Sequence, residues 1–459
     1  MAGPCGSGLP TAPDTWPWRP PPPSPEGAVA RSRHAGQIPV LPAVRGPKGP
    51  DRSPAGRGSS PRRPSLTPRP LDGITVVALE HAIAAPFCTR QLADLGARVI
   101  KIERPGGGDF ARGYDGRVRG LASHFVWTNR SKESLTLDVK HPEAAPILAA
   151  LLARADVLVQ NLAPGAAGRL GLSFPELHDR HPRLIVCDIS GYGDSGPYRD
   201  RKAYDLLIQA ESGFLSVTGT PEDPAKAGCS IADISAGMHA HAGILAALLQ
   251  RQRTGRGGRI EVALLDTMAE WMGYPLYYAF AGADPPPRSG AAHATIYPYG
   301  PFRTGDGRTV VLGLQNEREW GAFCAKVLLD PELARDARYA SNPLRTAARG
   351  ELGPLIEGIF SNLSAAEAEA RLDAAGIAHA RENDMHDLWN HPQLAARGRW
   401  TRVESPAGPL PALLPPAVPG GVTPRMDAIP ALGQHTRAIL AELGRSPGEI
   451  ERLVAAGVV

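Results

Sequence analysis

One acidic residue, Asp233, stands near the start of a long Ala-rich helix that the sequence predicts over roughly 231–253. A carboxylate at a helix N-terminus is kept ionised by the helix dipole and by free N–H groups. An ionised carboxylate in a partly dry pocket can attack an activated carbonyl as a nucleophile. The segment 230–233 (SIAD) also fits a capping box, with Ser230 at the N-cap and Asp233 at N3. The local spacing leaves both interpretations open.

Four cationic residues follow predicted strands or lie in nearby loops of the first half of the chain: Arg104, Lys132, Arg169 and Lys202. The carboxyl ends of strands are where open α/β sheets bind ligands. Several cations converging there would suit a polyphosphate. For each one alone, ordinary solvated surface charge is the alternative.

Small residues fill the first predicted turn from strand to helix, residues 81–86 (HAIAAP). Small side chains there let a ligand approach the backbone and the helix N-terminus. The turn lacks the glycines of a dinucleotide fingerprint, so NAD binding has little support. The stretch 105–109 (PGGGD) lacks the P-loop and GxGxxG spacings, which favours a flexible loop.

The sequence gives no metal or redox pattern. His239 and His241 are two residues apart on one predicted helix, so they do not face one another and no metal site is predicted. Residues 191–196 (GYGDSG) have the wrong spacing for a nucleophile elbow. The five cysteines are far apart and form no CxxC pair, which argues against zinc ribbons, dithiol redox motifs and disulfide frameworks.

The chain has 459 residues, 42% hydrophobic and 21% charged, which is an ordinary globular composition. Its net charge of +4 arises in residues 1–70, which hold ten Lys and Arg against three Asp and Glu, while the other 389 residues sum to −3. That balance argues against a nucleic-acid binder. Apolar runs are too short for a membrane span and no signal peptide is evident, so we expect a cytoplasmic protein without membrane partners.

Residues 1–70 contain 18 of the 47 prolines and few large aliphatic side chains. Such a segment cannot bury enough apolar area to offset the entropy of ordering it, so we predict a disordered tail. A misassigned start of the chain is the alternative.

From Leu71 onward, β-branched runs alternate with helical patterns, which predicts an α/β fold with a Rossmann-like, mostly parallel sheet. The predicted strands of this sheet are 73–80, 97–103, 135–139, 156–160, 184–190 and 259–264. The pattern then changes to that of a smaller α+β domain. We therefore divide the chain into a tail at 1–70, a large domain at 71–265, a small domain with its linker at 266–400, and a C-terminal segment at 401–459.

Seven stretches of the chain, taken together, resemble the family III CoA-transferases, which include formyl-CoA transferase and carnitine CoA-transferase. The resemblance extends over 71–459 in one order, and the set is more specific than any single motif. The stretches are 84–112 (AAPFCTRQLADLGARVIKIERPGGGDFAR), 129–140 (NRSKESLTLDVK), 159–172 (VQNLAPGAAGRLGL), 189–205 (ISGYGDSGPYRDRKAYD), 227–248 (AGCSIADISAGMHAHAGILAAL), 254–266 (TGRGGRIEVALLD) and 432–436 (LGQHT).

The resemblance implies a role for each matching residue. Asp233 matches the catalytic aspartate, which attacks a thioester and then carries CoA as an aspartyl thioester. Backbone at His81, Ala82 and Ala84 is expected to line the thioester site. Residues expected to contact CoA are Arg104, Lys132, Asn161, Arg169 and Lys202. The family further implies two interlocked subunits, a C-terminal return to the large domain, and CoA or acyl-CoA as substrate with no permanently bound cofactor or metal.

Two departures from family patterns bear on the substrate. Racemases of this family, which act on 2-methylacyl-CoA, have a His where this chain has Tyr204 before Asp205, so a racemase is the alternative and not the leading reading. Residues 290–299 (GAAHATIYPY) replace the glycine run of formyl-CoA transferase and look more like the members that handle short dicarboxylates. His293 could pair with a distal carboxylate or be structural.

The sequence therefore predicts transfer of CoA from an acyl-CoA, with succinyl-CoA as the expected donor, to a dicarboxylic acid such as itaconate or mesaconate. The roles of Asp205 and His293 in catalysis stay open. A CoA-binding or scaffold protein without catalytic activity is the third hypothesis.

Overall fold

The structure, a computed structural model, describes residues 67–459, which belong to one compact unit. The predicted disorder of residues 1–70 falls almost entirely outside the described residues. The first part of the described chain contains β1 Thr75–Leu79, α1 Ala84–Asp94, β2 Arg98–Glu103, α2 Ser123–Thr128, β3 Lys132–Thr136, α3 Ala144–Leu152, β4 Val157–Gln160, α4 Ala166–Arg169, α5 Phe174–Arg180, β5 Ile185–Ser190, α6 Asp205–Glu211, α7 Phe214–Val217, α8 Ile231–Thr254 and β6 Arg259–Ala263.

The second part is more helical and its strands are antiparallel. It contains α9 Leu264–Trp271, α10 Gly273–Tyr278, β7 Tyr299–Arg303, β8 Thr309–Gly313, α11 Glu317–Ala322, α12 Asn342–Ala347, α13 Arg349–Phe360, α14 Ala365–Ala375, β9 Ala378–Arg381, α15 Met385–Trp389, α16 Pro392–Ala396, β10 Trp400–Val403, β11 Leu410–Leu413, α17 Thr436–Glu442 and α18 Pro447–Ala455.

The first six strands form one parallel sheet in the order β3-β2-β1-β4-β5-β6. Val76, Val77 and Ala78 of β1 are fully buried, as expected for a central strand covered on both faces. The prediction of an α/β fold with a parallel sheet is confirmed. The strand order reverses between β1 and β4, and ligands of such sheets bind beyond the carboxyl ends at this switch point.

One predicted strand is displaced along the chain. We expected it at 135–139, but β3 begins at Lys132 and ends at Thr136. Lys132 and Ser134 are buried although both are polar, because their side chains find hydrogen-bond partners inside the protein. A prediction that relies on apolar residues starts such a strand too late.

Helix α8 crosses close to α1 in the core of the sheet domain. A Cβ on Gly237 would lie 2.7 Å from the carbonyl oxygen of Ala84, so this close approach requires glycine. The helix is long and apolar enough to qualify as a membrane span by length and composition alone. Ala232, Ala236 and Ala240 lie fully buried in the core cluster, so one face of α8 packs into the core of the sheet domain.

The end of the chain packs against β3. The amide N–H of Ser134 donates to His435 Nδ1 at 3.1 Å, and the N–H of His435 donates to the Ser134 carbonyl oxygen at 3.0 Å. Near the last residue, the N–H of Asp138 donates to the carbonyl oxygen of Val458 at 2.7 Å. Buried side chains of α17 and α18 share a core with the strands, including Leu440 and Leu453.

Residues 299–381 contain a separate small sheet with the antiparallel order β7-β8-β9. Helices surround it around a core that includes Trp320, Phe323 and Phe360. The domain boundaries at 71–265, 266–400 and 401–459 stay a prediction.

Candidate active site

A cleft of about 2180 Å³ lies at the switch point of the parallel sheet. Residues that follow β1, β4 and β5 line it, together with the loop before α8 and the first turn of that helix. Asp233 lies in this lining. The chain order therefore brings the predicted nucleophile and the first strand–helix turn to one cleft.

The start of α8 is capped by a residue from another helix. Ser230 is the N-cap but makes no side-chain capping hydrogen bond. Instead, Oδ1 of Asp205 in α6 accepts the N–H of Ala232 at 2.8 Å and the N–H of Asp233 at 3.3 Å. The capping-box interpretation of residues 230–233 is therefore wrong, and the Asp233 carboxyl is not used to cap its own helix.

The charge state of Asp233 also differs from the expectation. Burial and the neighbouring Asp205 carboxylate raise the pKa of Asp233 to about 7. We expected the helix N-terminus to keep this carboxyl ionised. Asp205 occupies the N–H groups that would have favoured the charged form, and burial disfavours that form. Near neutral pH the Asp233 carboxyl is thus partly protonated and partly ionised, and only the ionised form can act as a nucleophile.

Asp205 is itself held in place from the opposite side. Its Oδ2 accepts a hydrogen bond from Gln209 Nε2 at 2.6 Å. The amide oxygen of Gln209 accepts the N–H of Ala227 at 2.9 Å, in the loop that leads to α8. These contacts fix the position of the Asp205 carboxylate at the start of α8. Tyr204, the residue before Asp205, lines the cleft and is 66% exposed.

The first turn after β1 is held by two side chains. Asn161 Oδ1 accepts the N–H of His81 at 2.9 Å, and Asn161 Nδ2 donates to the His81 carbonyl oxygen at 2.9 Å. Ala82 has a φ of 60°, a conformation that costs energy for a residue with a Cβ. Its N–H donates to Asp109 Oδ1 at 3.1 Å. His81, Ala82, Ala84 and Asn161 all line the cleft.

A fully buried ionic cluster supports this turn from below. Lys101 Nζ lies 2.8 Å from Asp109 Oδ2 and 3.2 Å from Glu80 Oε1. Although burial opposes ionisation, the ammonium groups of Lys101 and Lys132 lower the pKa of Glu80 to about 2. Two cations and two carboxylates therefore balance inside the protein, as buried charges must.

Lys132 belongs to this cluster and does not line the cleft. Its ammonium donates to Glu80 Oε1 at 2.7 Å, to the Pro86 carbonyl oxygen at 3.0 Å and to Asn129 Oδ1 at 3.1 Å. All three donor sites of this fully buried group are occupied. The structure thus does not bring Lys132 to the position of a phosphate contact, because its charge is needed to neutralise Glu80.

The other predicted cations, Arg104, Arg169 and Lys202, do line the cleft. Sequence reasoning missed five more Lys and Arg residues of the lining: Lys140, Arg199, Arg201, Lys226 and Arg259. All except Lys226 lie inside one of the stretches on which the resemblance rests, and that position was the available signal. Within residues 67–459 no three His, Cys, Asp or Glu side chains are grouped to hold a metal.

His293 lies apart from the cleft, next to the small sheet. Its ring stacks on Tyr299 with 5.2 Å between ring centroids. Its Nδ1 accepts the N–H groups of Thr295 at 3.2 Å and Ile296 at 3.1 Å. Within the described chain, these contacts give His293 a structural role, because its ring accepts the N–H groups of the turn that follows it.

A family profile described as CoA-transferase family III matches residues 71–436 of the chain. The chain belongs to the family III CoA-transferases. It is 35% identical over 412 residues to the mouse succinyl-CoA:glutarate CoA-transferase, covering 88% of this chain and 94% of that protein. It is 33% identical over 385 residues to the succinate–glutarate CoA-transferase of Agrobacterium fabrum, covering 82% and 96%.

A solved structure supports the same assignment. The crystal structure of a CAIB/BAIF family protein from Brucella suis has a TM-score of 0.73 and 34% identity, covering 82% of this chain and all of that one. The predicted membership of the family is thereby confirmed, and the protein is a CoA-transferase.

The Asp205–Asp233 pair generates a prediction about pH. In an Asp205→Asn variant the amide oxygen keeps the helix cap while the negative charge is lost, so the pKa of Asp233 falls. If the ionised carboxyl is the nucleophile, the acid limb of the kcat/KM profile for acyl-CoA moves to lower pH by roughly one unit. An acid limb that stays in place while the variant remains folded would contradict this coupling.

A second prediction concerns stability. The pKa of Asp233 is raised on folding, so its favourable contribution is complete at low pH and is lost as pH rises from about 4 through about 7. Asp233→Asn removes that loss. We expect the Tm advantage of the variant over wild type to be about 2 °C or more larger at pH 8 than at pH 5, measured by differential scanning fluorimetry.

The matched control is Asp179→Asn, which replaces an exposed carboxylate on α5. Its Tm difference from wild type should not change with pH. If the Tm difference between Asp233→Asn and wild type did not change with pH, burial of the Asp233 charge would not destabilise the fold, and the prediction would be wrong.

Proposed function

We propose that this enzyme moves CoA from succinyl-CoA to a short dicarboxylic acid through a CoA thioester formed on Asp233. The supporting observation is the Asp233 carboxyl inside the cleft, whose pKa is raised to about 7 by burial and by the neighbouring Asp205 carboxylate. Both curated relatives described above are named for succinate and glutarate, which supports an acceptor of four or five carbons such as glutarate, itaconate or mesaconate.

The proposed sequence of bond changes balances without an additional reactant. The Asp233 carboxylate attacks the thioester carbonyl, the C–S bond breaks, and an acyl-aspartyl anhydride and CoA thiolate result. The thiolate then attacks the aspartyl carbonyl and releases the donor acid. The acceptor carboxylate attacks the aspartyl thioester and the two steps run in reverse. Each step exchanges one acyl bond for another, which is the advantage of covalent catalysis.

The proposed binding of CoA uses the cations of the cleft. Arg104, Arg169 and Lys202 are placed to neutralise phosphate groups of the polyanionic part of CoA. The backbone around Ala82 and Ala84 lines the thioester site, where amide groups stabilise the oxyanions. Asn161 and Lys132 act indirectly in this proposal, since both hold the turn that carries these residues.

The racemase alternative gains no specific support from the cleft. Racemisation needs an acid and a base on opposite sides of the α-carbon. Tyr204 takes the place of the family's histidine and is largely exposed, while the Asp205 oxygens are occupied by N–H donors. His293, which we proposed for a distal carboxylate, lies outside the cleft of its own chain.

We also propose a homodimer in the cytoplasm. Support for a second subunit comes from large apolar side chains left exposed along α9, α10 and the segment after them: Trp271 43%, Tyr274 54%, Leu276 62%, Tyr277 81% and Phe280 73%. Large apolar side chains left exposed this close together along the chain support an interaction site.

The intermediate can be trapped directly. Wild-type enzyme incubated with succinyl-CoA and then with hydroxylamine should acquire a hydroxamate at Asp233, detected by peptide mass spectrometry. Asp233→Asn should remain unmodified and lose at least ~1000-fold in transfer rate, since the nucleophile is gone. Glutarate, itaconate and mesaconate are then compared as acceptors. An unmodified wild-type Asp233 during turnover, or solvent deuterium entering the acyl α-carbon without an acceptor, would contradict the proposal.

The dimer proposal predicts a measured mass near twice the 48.5 kDa of one chain in light scattering after size exclusion. Tyr277→Asp should weaken association, because it places a charge in the apolar surface. Arg335→Asp, on an exposed turn elsewhere, should not. A wild-type mass of one chain at micromolar concentration would contradict the proposal.

A further inference from the structure

Gln209 is a fully buried amide that lies outside the lining of the cleft. It follows Asp205 by four residues on α6, a spacing that puts both side chains on one face of the helix. Its amide oxygen accepts the N–H of Ala227 at 2.9 Å, and its Nε2 donates to Asp205 Oδ2 at 2.6 Å. The side chain thus joins the Asp205 carboxyl to the loop before α8.

The contact with Ala227 fixes which way the amide faces. A backbone N–H can only donate, so the amide oxygen must lie on the Ala227 side and the NH2 group on the Asp205 side. The NH2 group can also only donate, so Oδ2 of Asp205 must accept. A rotated amide would set two donors against each other on one side and two acceptors on the other.

The two carboxyl groups of the pair differ in the hydrogen bonds that they receive. Asp205 accepts three N–H groups, two at Oδ1 from Ala232 and Asp233 and one at Oδ2 from Gln209. Hydrogen bonds donated to a carboxyl group stabilise its charged form. Among residues 67–459 none donates to the Asp233 carboxyl, and burial disfavours its charged form. This asymmetry favours Asp233 as the group that holds a single proton of the pair.

The other titratable groups around the pair do not replace Asp205 in this effect. Tyr114, in the segment after β2, couples to Asp233, and burial together with the charges of Asp109 and Asp233 raises the pKa of its phenol, so it is uncharged near neutral pH. The groups on the remaining neighbouring elements are paired or exposed: Arg90 with Asp94 at 2.8 Å on α1, Asp188 with Arg259 at 2.7 Å between β5 and β6, Lys226 with the Ala227 carbonyl oxygen at 3.1 Å before α8, Tyr204 exposed before α6 and Asp266 exposed on α9.

We propose that Gln209 is a positioning residue that keeps Asp205 ionised, so that the proton of the carboxyl pair sits on Asp233. This inference rests on the proposed function, in which ionised Asp233 is the nucleophile. Without the Nε2 donor, Asp205 loses one of the three bonds that stabilise its charge, and in part of the molecules it takes up the proton. Asp233 then ionises at lower pH in those molecules, because a neutral Asp205 does not repel its charge.

The test measures kcat/KM for succinyl-CoA against pH, with glutarate at saturation, in wild type and in two variants at position 209. Gln209→Met has a side chain of similar size without a donor. The ratio of its kcat/KM at pH 5.5 to that at pH 8 should exceed the wild-type ratio at least ~3-fold.

Gln209→Glu should behave differently. It keeps the acceptor for Ala227 and, while protonated, a donor for Asp205. Once ionised it adds a negative charge beside the pair. The acid limb of its profile should therefore stay at the wild-type pH or move to higher pH. General damage to the fold would lower kcat/KM at every pH in both variants, so the direction of the shift reports positioning.

The matched control is Gln250→Met, which makes the same substitution at an exposed position near the other end of α8. Its pH ratio should equal that of wild type. A wild-type ratio in folded Gln209→Met would overturn the role of Gln209. If Gln209→Met does not fold, Gln209→Glu decides, because an acid limb that moves to lower pH in that variant contradicts the proposal.

The hydroxylamine experiment distinguishes failure of this inference from failure of the proposed function. If wild type forms the Asp233 adduct at pH 8 but Gln209→Met keeps the wild-type pH ratio, only the role of Gln209 fails. If wild type forms no adduct from succinyl-CoA, the proposed function fails and the inference with it.

Discussion

The hydrogen bonds from the N–H groups of Ala232 and Asp233 to the Asp205 carboxylate decide what the cleft can do. They satisfy the start of α8 from outside, which frees the Asp233 side chain from capping. They also place a negative charge beside Asp233, so that burial and repulsion act in the same direction on its pKa. A free carboxyl that is poised to ionise near neutral pH follows from one contact between two helices.

The cluster of Glu80, Lys101, Asp109 and Lys132 meets a second constraint, which is the positive φ of Ala82. A residue with a Cβ keeps that conformation only when its surroundings hold it there. Asp109 does so by accepting the Ala82 N–H, and Lys101 holds Asp109. Buried charges are a costly support, but removing one of them leaves its partner uncompensated. Thus the cluster ties the geometry of the thioester site to the integrity of the sheet.

The sequence predicted the order of the parallel strands along the chain and the long α8 helix, because apolar periodicity and chain order determine them. Asp233 was singled out by the family resemblance, and its catalytic role stays a prediction. It did not predict the cap by Asp205, since residues 28 positions apart meet only after α6 and α8 have packed. Lys132 shows the same limit. A lysine in a strand resembles a surface cation until its buried partner, Glu80, is located. The bounds of strands and helices follow from local sequence patterns. The charge states of side chains and their hydrogen-bond partners can be known only from the folded structure.

The return of the chain to β3 ties distant residues to the reactive turn. Ser134 donates its hydroxyl to Glu103, which also accepts the N–H of Asp109, and the same Ser134 is bonded to Gly433 and His435. The support under the reactive turn is therefore completed by residues about 300 positions further along the chain. Neither Gly433 nor His435 lines the cleft, so the cleft depends on residues that a ligand does not meet.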